Sequence, residues 1–257
     1  MAGGSTLHIV SSAAAKHQRP VVACDLDEVL GQYLATYTKW HNRVYGTHLR
    51  VSDFFTYRFW EVQGGTAQEA IEKCYIFHES PEFKSGIPLV PGAQEYVRKI
   101  TNFAEVHIVT SRQEQIRQDT YDWVFANFGI PSNRVHLGNH FGLSGKKTSK
   151  ADMCKAIGAT LLIDDNPMYI NDALSHGFGG ILYDYDHGYG WSHDPESPLP
   201  RETVVATNWQ EVYECVRSML PLAVTVAPSP PPSPSTTATT KMENDKHVVE
   251  DLIEVRA

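Results

Sequence analysis

Two aspartates one residue apart, Asp25 and Asp27, follow directly on an apolar run in the stretch VVACDLDEVLG, residues 21–31. Farther along, the run VHIV (106–109) gives way to Thr110, Ser111 and Arg112, and the run TLLI (160–163) gives way to Asp164 and Asp165. Four carboxylates brought together repel one another unless a cation sits among them, and hard oxygen donors select Mg²⁺. Alternate residues of a strand share a face. If the extended conformation persists past Cys24, Asp25 and Asp27 therefore point into one site and Leu26 turns away. One carboxylate can then attack phosphorus, giving an aspartyl-phosphate, while the other handles protons. Thr110 offers a hydroxyl to a phosphoryl oxygen, with Ser111 beside it, and a lysine can neutralise the growing charge. The segment GKKTSKADMCKAIGA (145–159) contains such a lysine. Ser149 reads as a helix cap, which puts Lys150 in the first turn and aims it at the site, whereas Lys155 faces elsewhere.

Groups so far apart in sequence meet only if particular elements carry them. The runs VVAC (21–24), VHIV (106–109), RVHL (134–137), TLLI (160–163) and GILY (180–183) are short and rich in Val, Ile and Leu. They mostly lack clean polar alternation, as strands covered on both faces do. Stretches of helical length lie between them, at 92–102, 113–128, 149–157 and 167–175. Strand and helix in alternation imply a parallel sheet with right-handed crossovers, so the expected class is α/β. Ligands of such sheets bind beyond the carboxyl ends of the strands, where the acids and hydroxyls above all fall.

At this point the residues resemble the haloacid dehalogenase superfamily of phosphotransferases. Its four motifs look like DLDEV at 25–29, VTS at 109–111, Lys150, and DDNP at 164–167. Any one of them is weak, but the ordered set is specific and covers about residues 20–190. The resemblance implies a Rossmann-like three-layer sandwich with a parallel central sheet and a small helical cap inserted after the first strand. It implies Asp25 as nucleophile and Asp27 as the acid that protonates the leaving alcohol and then activates water. An acid at Asp27 favours a phosphatase over the dehalogenase branch, which lacks it, and over the ATPase branch, which has Thr there. Mg²⁺ would be held by Asp25, the backbone carbonyl of Asp27, and Asp165, with Asp164 as the weaker candidate. Glu28 departs from the smaller residue often found there, and either tunes the entrance or faces solvent.

The implied organisation is a core of residues 20–33 and 89–220 with a cap at 34–88, since that interval is too long for a simple crossover. DFFTYRFW (53–60) is the densest feature of the interval, and aromatics beside an arginine can stack a base or a sugar. Phe55, Arg58, Phe59 and Trp60 are the expected substrate contacts; alternatively Phe54, Phe55, Phe59 and Trp60 form the cap's own small core. With GIPLVPGA, VTSR, LLIDDNP and GILYDYDHGYGW, this stretch resembles the 5′(3′)-deoxyribonucleotidase branch, whose aromatic cap pocket holds the nucleoside of a monophosphate.

Composition narrows the rest. The chain has 257 residues and a net charge of −8, which disfavours a non-specific grip on nucleic acid or an anionic membrane. Four scattered cysteines without a CxxC pair read as reduced thiols, and the expected compartment is the cytoplasm. The acid-free first 19 residues faintly resemble a transit peptide but read better as a loose terminus. Residues 221–257 read as a Pro/Ser/Thr-rich tail, in which HVVEDLIEV (247–255) has the pattern of a short amphipathic helix. The stretch YDYDHGYGWSHD (183–194) matches no zinc spacing and reads as a polar loop after the last strand. His107 reads as a packed core residue and Cys24 as structural; Arg112 can reach the phosphate but reads better as a local cap or pair. The expectation is a Mg²⁺-dependent phosphomonoesterase for nucleoside monophosphates. The alternatives are another small phosphoester (metabolite, sugar or prenyl phosphate), or a silent interaction protein on this fold. Oligomeric state stays open, a dimer included.

Overall fold

The five apolar runs fold as strands, because Val, Ile and Leu at successive positions can be buried on both faces of a sheet only when helices cover each face. The computed structural model describes residues 19–193, 198–201 and 203–220. The readings for residues 1–18 and 221–257 lie outside these. In chain order the elements are β1 (Val21–Cys24), α1 (Tyr33–Tyr45), α2 (Phe59–Gln63), α3 (Ala67–His78), α4 (Pro81–Lys84), α5 (Ala93–Ile100), β2 (Glu105–Thr110), α6 (Arg117–Phe128), β3 (Val135–Leu137), α7 (Lys150–Ile157), β4 (Ala159–Asp164), α8 (Pro167–Ser175), β5 (Gly179–Tyr183), β6 (Val204–Ala206) and α9 (Trp209–Met219).

The strands form a wholly parallel sheet in the order β3-β2-β1-β4-β5-β6. Strand alternation splits the core in two. Val22 and Cys24 of β1 face a cluster with Val97 and Ile100 of α5, Val124 of α6, and Val212 and Val216 of α9. Val21 and Ala23 face Met153 and Cys154 of α7 and Ile170 and Ala173 of α8. The result is three layers, helix, sheet and helix. The edge strand β6 escapes the sequence reading because it is short and only its last residue is buried, with Val205 exposed. It also corrects the reading of residues 183–194, which precede a further strand rather than follow the last.

Between β1 and α5 lies the helical insertion α1–α4. Its own core gathers on Phe77, which is fully buried and packs against Tyr33, Tyr37 and Trp40 at ring-centroid distances of 5.2, 5.3 and 5.4 Å. Phe54 is buried there as well. α3 begins with a reciprocal cap, Thr66 Oγ1 accepting from Glu69 N while the Glu69 carboxylate accepts from Thr66 N.

Register brings the chemistry to one edge. Cys24 pairs with Ile108 and with Ile163, and Asp25 N donates to the Ile163 carbonyl at 2.9 Å. Asp25, Thr110 and Asp164 thus surface at the same end of neighbouring strands. Beyond Asp25, Asp27 still forms a bridge with Gly31, and the chain turns back between them over residues 28–30. Leu30 N and Gly31 N both donate to the Leu26 carbonyl, and Glu28 sits at φ +64°. Trp209 Nε1 pins this turn through the Val29 carbonyl at 2.9 Å, and the Tyr189 hydroxyl pins it through the Glu28 carbonyl at 2.8 Å.

Candidate active site

At the carboxyl edge of the sheet, under the helical insertion, a cavity of about 210 Å³ collects Asp25, Asp27, Thr110, Ser111, Lys150 and Asp165 in its wall. Each arrives by a local device. Asp25 follows the last residue of β1, and Thr110 is the last residue of β2. Ser149 caps α7 by accepting from Asp152 N at 3.0 Å, which makes Lys150 the first helical residue. Asn166 caps α8 by accepting from Met168 N at 2.9 Å, with Pro167 at the first helical position, and this ends the chain's descent just after Asp165.

Lys150 is the hub. Its side chain is 2% exposed, and its ammonium lies 2.6 Å from Asp164 Oδ2 and 2.8 Å from Asp25 Oδ1. The first contact is a hydrogen bond; the second lies off the hydrogen-bonding direction and is an ion pair. Burial by itself would lower the lysine's pKa, but Asp164 and Asp25 override it and hold the ammonium protonated above its ordinary value. The ring of Tyr169 adds a face 4.4 Å from the same nitrogen.

The acids of the floor are strongly perturbed. Asp25, Asp164 and Asp165 are all buried and can each offer an oxygen within 4.8 Å of the others. Burial raises all three pKa values, and Asp25 is pushed up to about 7. Asp164 has both oxygens engaged, Oδ2 by Lys150 and Oδ1 by Asn166 N at 3.0 Å. Asp165 is held by one oxygen only: Oδ2 accepts from the Tyr57 hydroxyl and from Trp191 Nε1, the latter at 3.0 Å. Among the described residues its Oδ1 accepts no hydrogen bond, and Asp165 lines the cavity. Buried carboxylates this close, one oxygen free and all donors hard, suit a divalent cation such as Mg²⁺.

Asp27 lies across the site, and its carboxylate is gripped by Arg112, with Nη2 at 2.7 Å from Oδ1 and Nε at 3.0 Å from Oδ2. Thr110 is buried and its hydroxyl accepts from Arg112 N at 3.3 Å. Ser111 Oγ lies 3.1 Å from both His140 Nδ1 and the Tyr169 hydroxyl. His140 Nε2 meets the Thr148 carbonyl at 2.8 Å, so Nε2 carries the proton and Nδ1 accepts. Burial lowers the pKa of this histidine, in keeping with the neutral ring.

Tyr57, Phe59, Trp60 and Trp191 make an aromatic wall, with Phe141 and Met168 exposed at the mouth. Trp191 stacks on Tyr189 at 4.7 Å between centroids and meets Tyr57 edge-on at 5.4 Å. Gly190 permits this arrangement: a Cβ there would stand 2.6 Å from the Phe54 carbonyl oxygen, so only glycine lets the two segments lie flush.

Two expected substrate contacts are not on this wall. Phe55 is 57% exposed, and Arg58 sits outside the cavity lining with its guanidinium 3.1 Å from Glu61. Residues 54–58 are neither helix nor strand, so no period told which side chains turn inward, and Tyr57 takes the place expected of Phe55. Glu28, for which a solvent-facing position was one reading, is buried, and its carboxylate accepts from Leu34 N at 2.5 Å. Burial pushes its pKa up to about 8. The sequence reading also missed Trp191, Tyr169 and His140 as parts of the site, and it gave Arg112 no tie to Asp27. Tyr169, one turn past the DDNP acids, carried a helical-spacing signal; His140, in an irregular loop, carried none. His187 and His193 each lie near Asp184, at 3.6 and 3.1 Å, and no metal cluster forms there among the described residues.

The parallel sheet, the helical insertion and the strand-end acids define a phosphatase of haloacid dehalogenase-like fold. Similar solved structures include a haloacid dehalogenase-like hydrolase from Streptococcus pneumoniae (13% identity, TM-score 0.57, covering 77% of this chain and 98% of that one). Another is a protein described as a predicted phosphatase from Clostridium acetobutylicum (12%, 0.55, 78% and 99%). A third is a haloacid dehalogenase-type hydrolase from Bacillus subtilis, solved with magnesium bound (13%, 0.52, 77% and 99%). No curated protein matches the chain. Residues 19–220 match the family described as "5' nucleotidase, deoxy (Pyrimidine), cytosolic type C protein", and the chain belongs to that family.

Proposed function

We propose that the protein is a Mg²⁺-dependent 5′-nucleotidase that hydrolyses ribo- or deoxyribonucleoside monophosphates through an aspartyl-phosphate on Asp25. The observation that carries this reading is the pairing, in one cavity, of the Asp25–Lys150 centre with an aromatic wall from the insertion. Residues 34–88 then act as a cap over a core of residues 20–33 and 89–220, and Phe59 and Trp60 stack the base. Asp25 and Asp165 would hold the metal together with the Asp27 carbonyl, and Asp164, with both oxygens engaged, would serve Lys150 instead. When bound, Mg²⁺ neutralises charge on the phosphoryl oxygens and on the attacking carboxylate.

The Asp25 carboxylate attacks phosphorus. The bond from phosphorus to the nucleoside oxygen breaks, and Asp27 gives that oxygen its proton. Asp27 then takes a proton from water, whose oxygen attacks phosphorus and breaks the bond to Asp25, releasing inorganic phosphate. Lys150, Thr110 and Ser111 hold the phosphoryl oxygens throughout. Among the described residues no helix is long and apolar enough to cross a membrane, and the cytoplasm is the compartment proposed for this chemistry.

The test is phosphate release from ribo- and deoxyribonucleoside monophosphates, sugar phosphates and an aryl phosphate, with Mg²⁺ or with chelator, for wild type and Asp25→Asn. Metal-dependent turnover, fastest on nucleotides and absent in the variant, is expected. Turnover of the aryl phosphate with none of the nucleotides would refute the substrate class and keep the chemistry.

A further inference from the structure

Among the described residues, every hydrogen bond that the Asp27 carboxylate accepts comes from Arg112: Nε to both oxygens at 3.2 and 3.0 Å, and Nη2 to Oδ1 at 2.7 Å. The guanidinium is fixed in turn. Its side chain is 3% exposed, Nη1 donates to Thr120 Oγ1 at 3.1 Å, and the rings of Phe83 and Tyr33 lie 5.5 and 6.0 Å from its central carbon. Thr120 is fully buried and tied to the Ile116 carbonyl at 2.8 Å. A two-point fork on a carboxylate sets its rotation as well as its place, which a lysine does not do. The Asp27 side chain is a quarter exposed and lies outside the cluster of Asp25, Asp164 and Asp165.

We propose that Arg112 is a positioning residue: it holds Asp27 in the single orientation from which its carboxyl can serve first the leaving oxygen and then the attacking water. This rests on the aspartyl-phosphate reading above. Asp27 turns about its side-chain bonds when the fork is lost, and both proton transfers suffer while the attack by Asp25 does not. A leaving group that needs no proton separates the two, since its first step proceeds without Asp27.

Rapid-quench kinetics on the fastest nucleotide of the panel, and on an aryl phosphate, test this in wild type, Asp27→Asn, Arg112→Met, Arg112→Lys and the double variant Asp27→Asn/Arg112→Met. Thermal melts establish that each is folded. Arg112→Met is expected to lose about a hundredfold in kcat on the nucleotide, the scale of one positioned acid or base. On the aryl phosphate it is expected to keep a burst of about one equivalent of alcohol and then stall as the phosphoenzyme. Arg112→Lys, with the charge but not the fork, falls between. The double variant is expected to be no slower than Asp27→Asn alone, because both changes remove the same contribution. Thr120→Val, which loosens the fork without touching the cavity, is expected to shift the rates the same way by a few-fold. Additive losses in the double variant, or a folded Arg112→Met with wild-type turnover, would overturn the proposal. A wild type that forms no phosphoenzyme on either substrate would overturn the reading beneath it as well.

Discussion

Replacing Lys150 with methionine removes the one cation from a buried group of three carboxylates and leaves a side chain of similar length. Two carboxylate charges 4.8 Å apart, the limit within which all three oxygens fall, repel by about 3.5 kcal/mol at an effective dielectric of about 20. Breaking a buried pair by removing one partner costs about 3–5 kcal/mol. For a domain of this size that is a fall in Tm on the order of 10 °C. The sign with pH follows from Asp25, whose carboxyl burial pushes up to about 7 from 3.8. A folded-state value above the unfolded one means the fold is favoured below about 4 and loses stability as pH rises through about 7. Without the ammonium the folded value climbs further. The deficit of Lys150→Met in chelator is therefore greatest above pH 7 and shrinks as pH falls toward 4. Saturating Mg²⁺ is expected to narrow it as well, because carboxylates that have lost the ammonium bind the cation more tightly and so gain more from it than the wild type does. The assay is thermal unfolding of both proteins at pH 5, 6.5 and 8, with chelator and with Mg²⁺. A deficit in chelator that is the same at pH 5 as at pH 8 would show that the lysine does not hold these carboxylates by charge.

Three further outcomes follow from the same geometry. Trp191→Phe keeps the ring but deletes the donor to Asp165 Oδ2, and Mg²⁺ affinity by calorimetry is expected to weaken about tenfold, as loss of an outer-shell partner typically does; unchanged affinity would remove Asp165 from the metal site. Trp60→Ala is expected to raise KM for a nucleotide about tenfold or more through lost stacking, while Phe55→Ala, at an exposed position, changes stability by less than about 0.5 kcal/mol and leaves KM unaltered. His78 is buried and neutral, its pKa lowered by burial first and then by Arg112 and Lys84 from 6.5 to about 3. Its contribution is complete above pH 6.5 and is lost as pH falls toward 3, at about 1.4 kcal/mol per unit. A Tm-against-pH curve for His78→Gln should consequently have a flatter acid limb than the wild type; superimposable limbs would refute it.

The apolar runs determined the sheet by themselves. β-branched and Leu-rich stretches separated by helix-length segments have few other ways to bury both faces, and five of the six strands are legible for that reason. A local device was legible too: Ser149 caps the helix that begins at Lys150 by reaching Asp152 N three residues on, and this depends little on the rest of the chain. Tertiary structure alone decided which partners Asp164 and Asp165 take, because Lys150 reaches one, and Tyr57 and Trp191, 108 and 26 residues away, reach the other. It alone turned Phe55 outward and Tyr57 inward, since an irregular segment has no period to read. It alone made Arg112 the partner of Asp27, 85 residues distant. Periodicity is a property of neighbours along the chain, whereas a hydrogen bond across the cavity is set by the packing of whole layers.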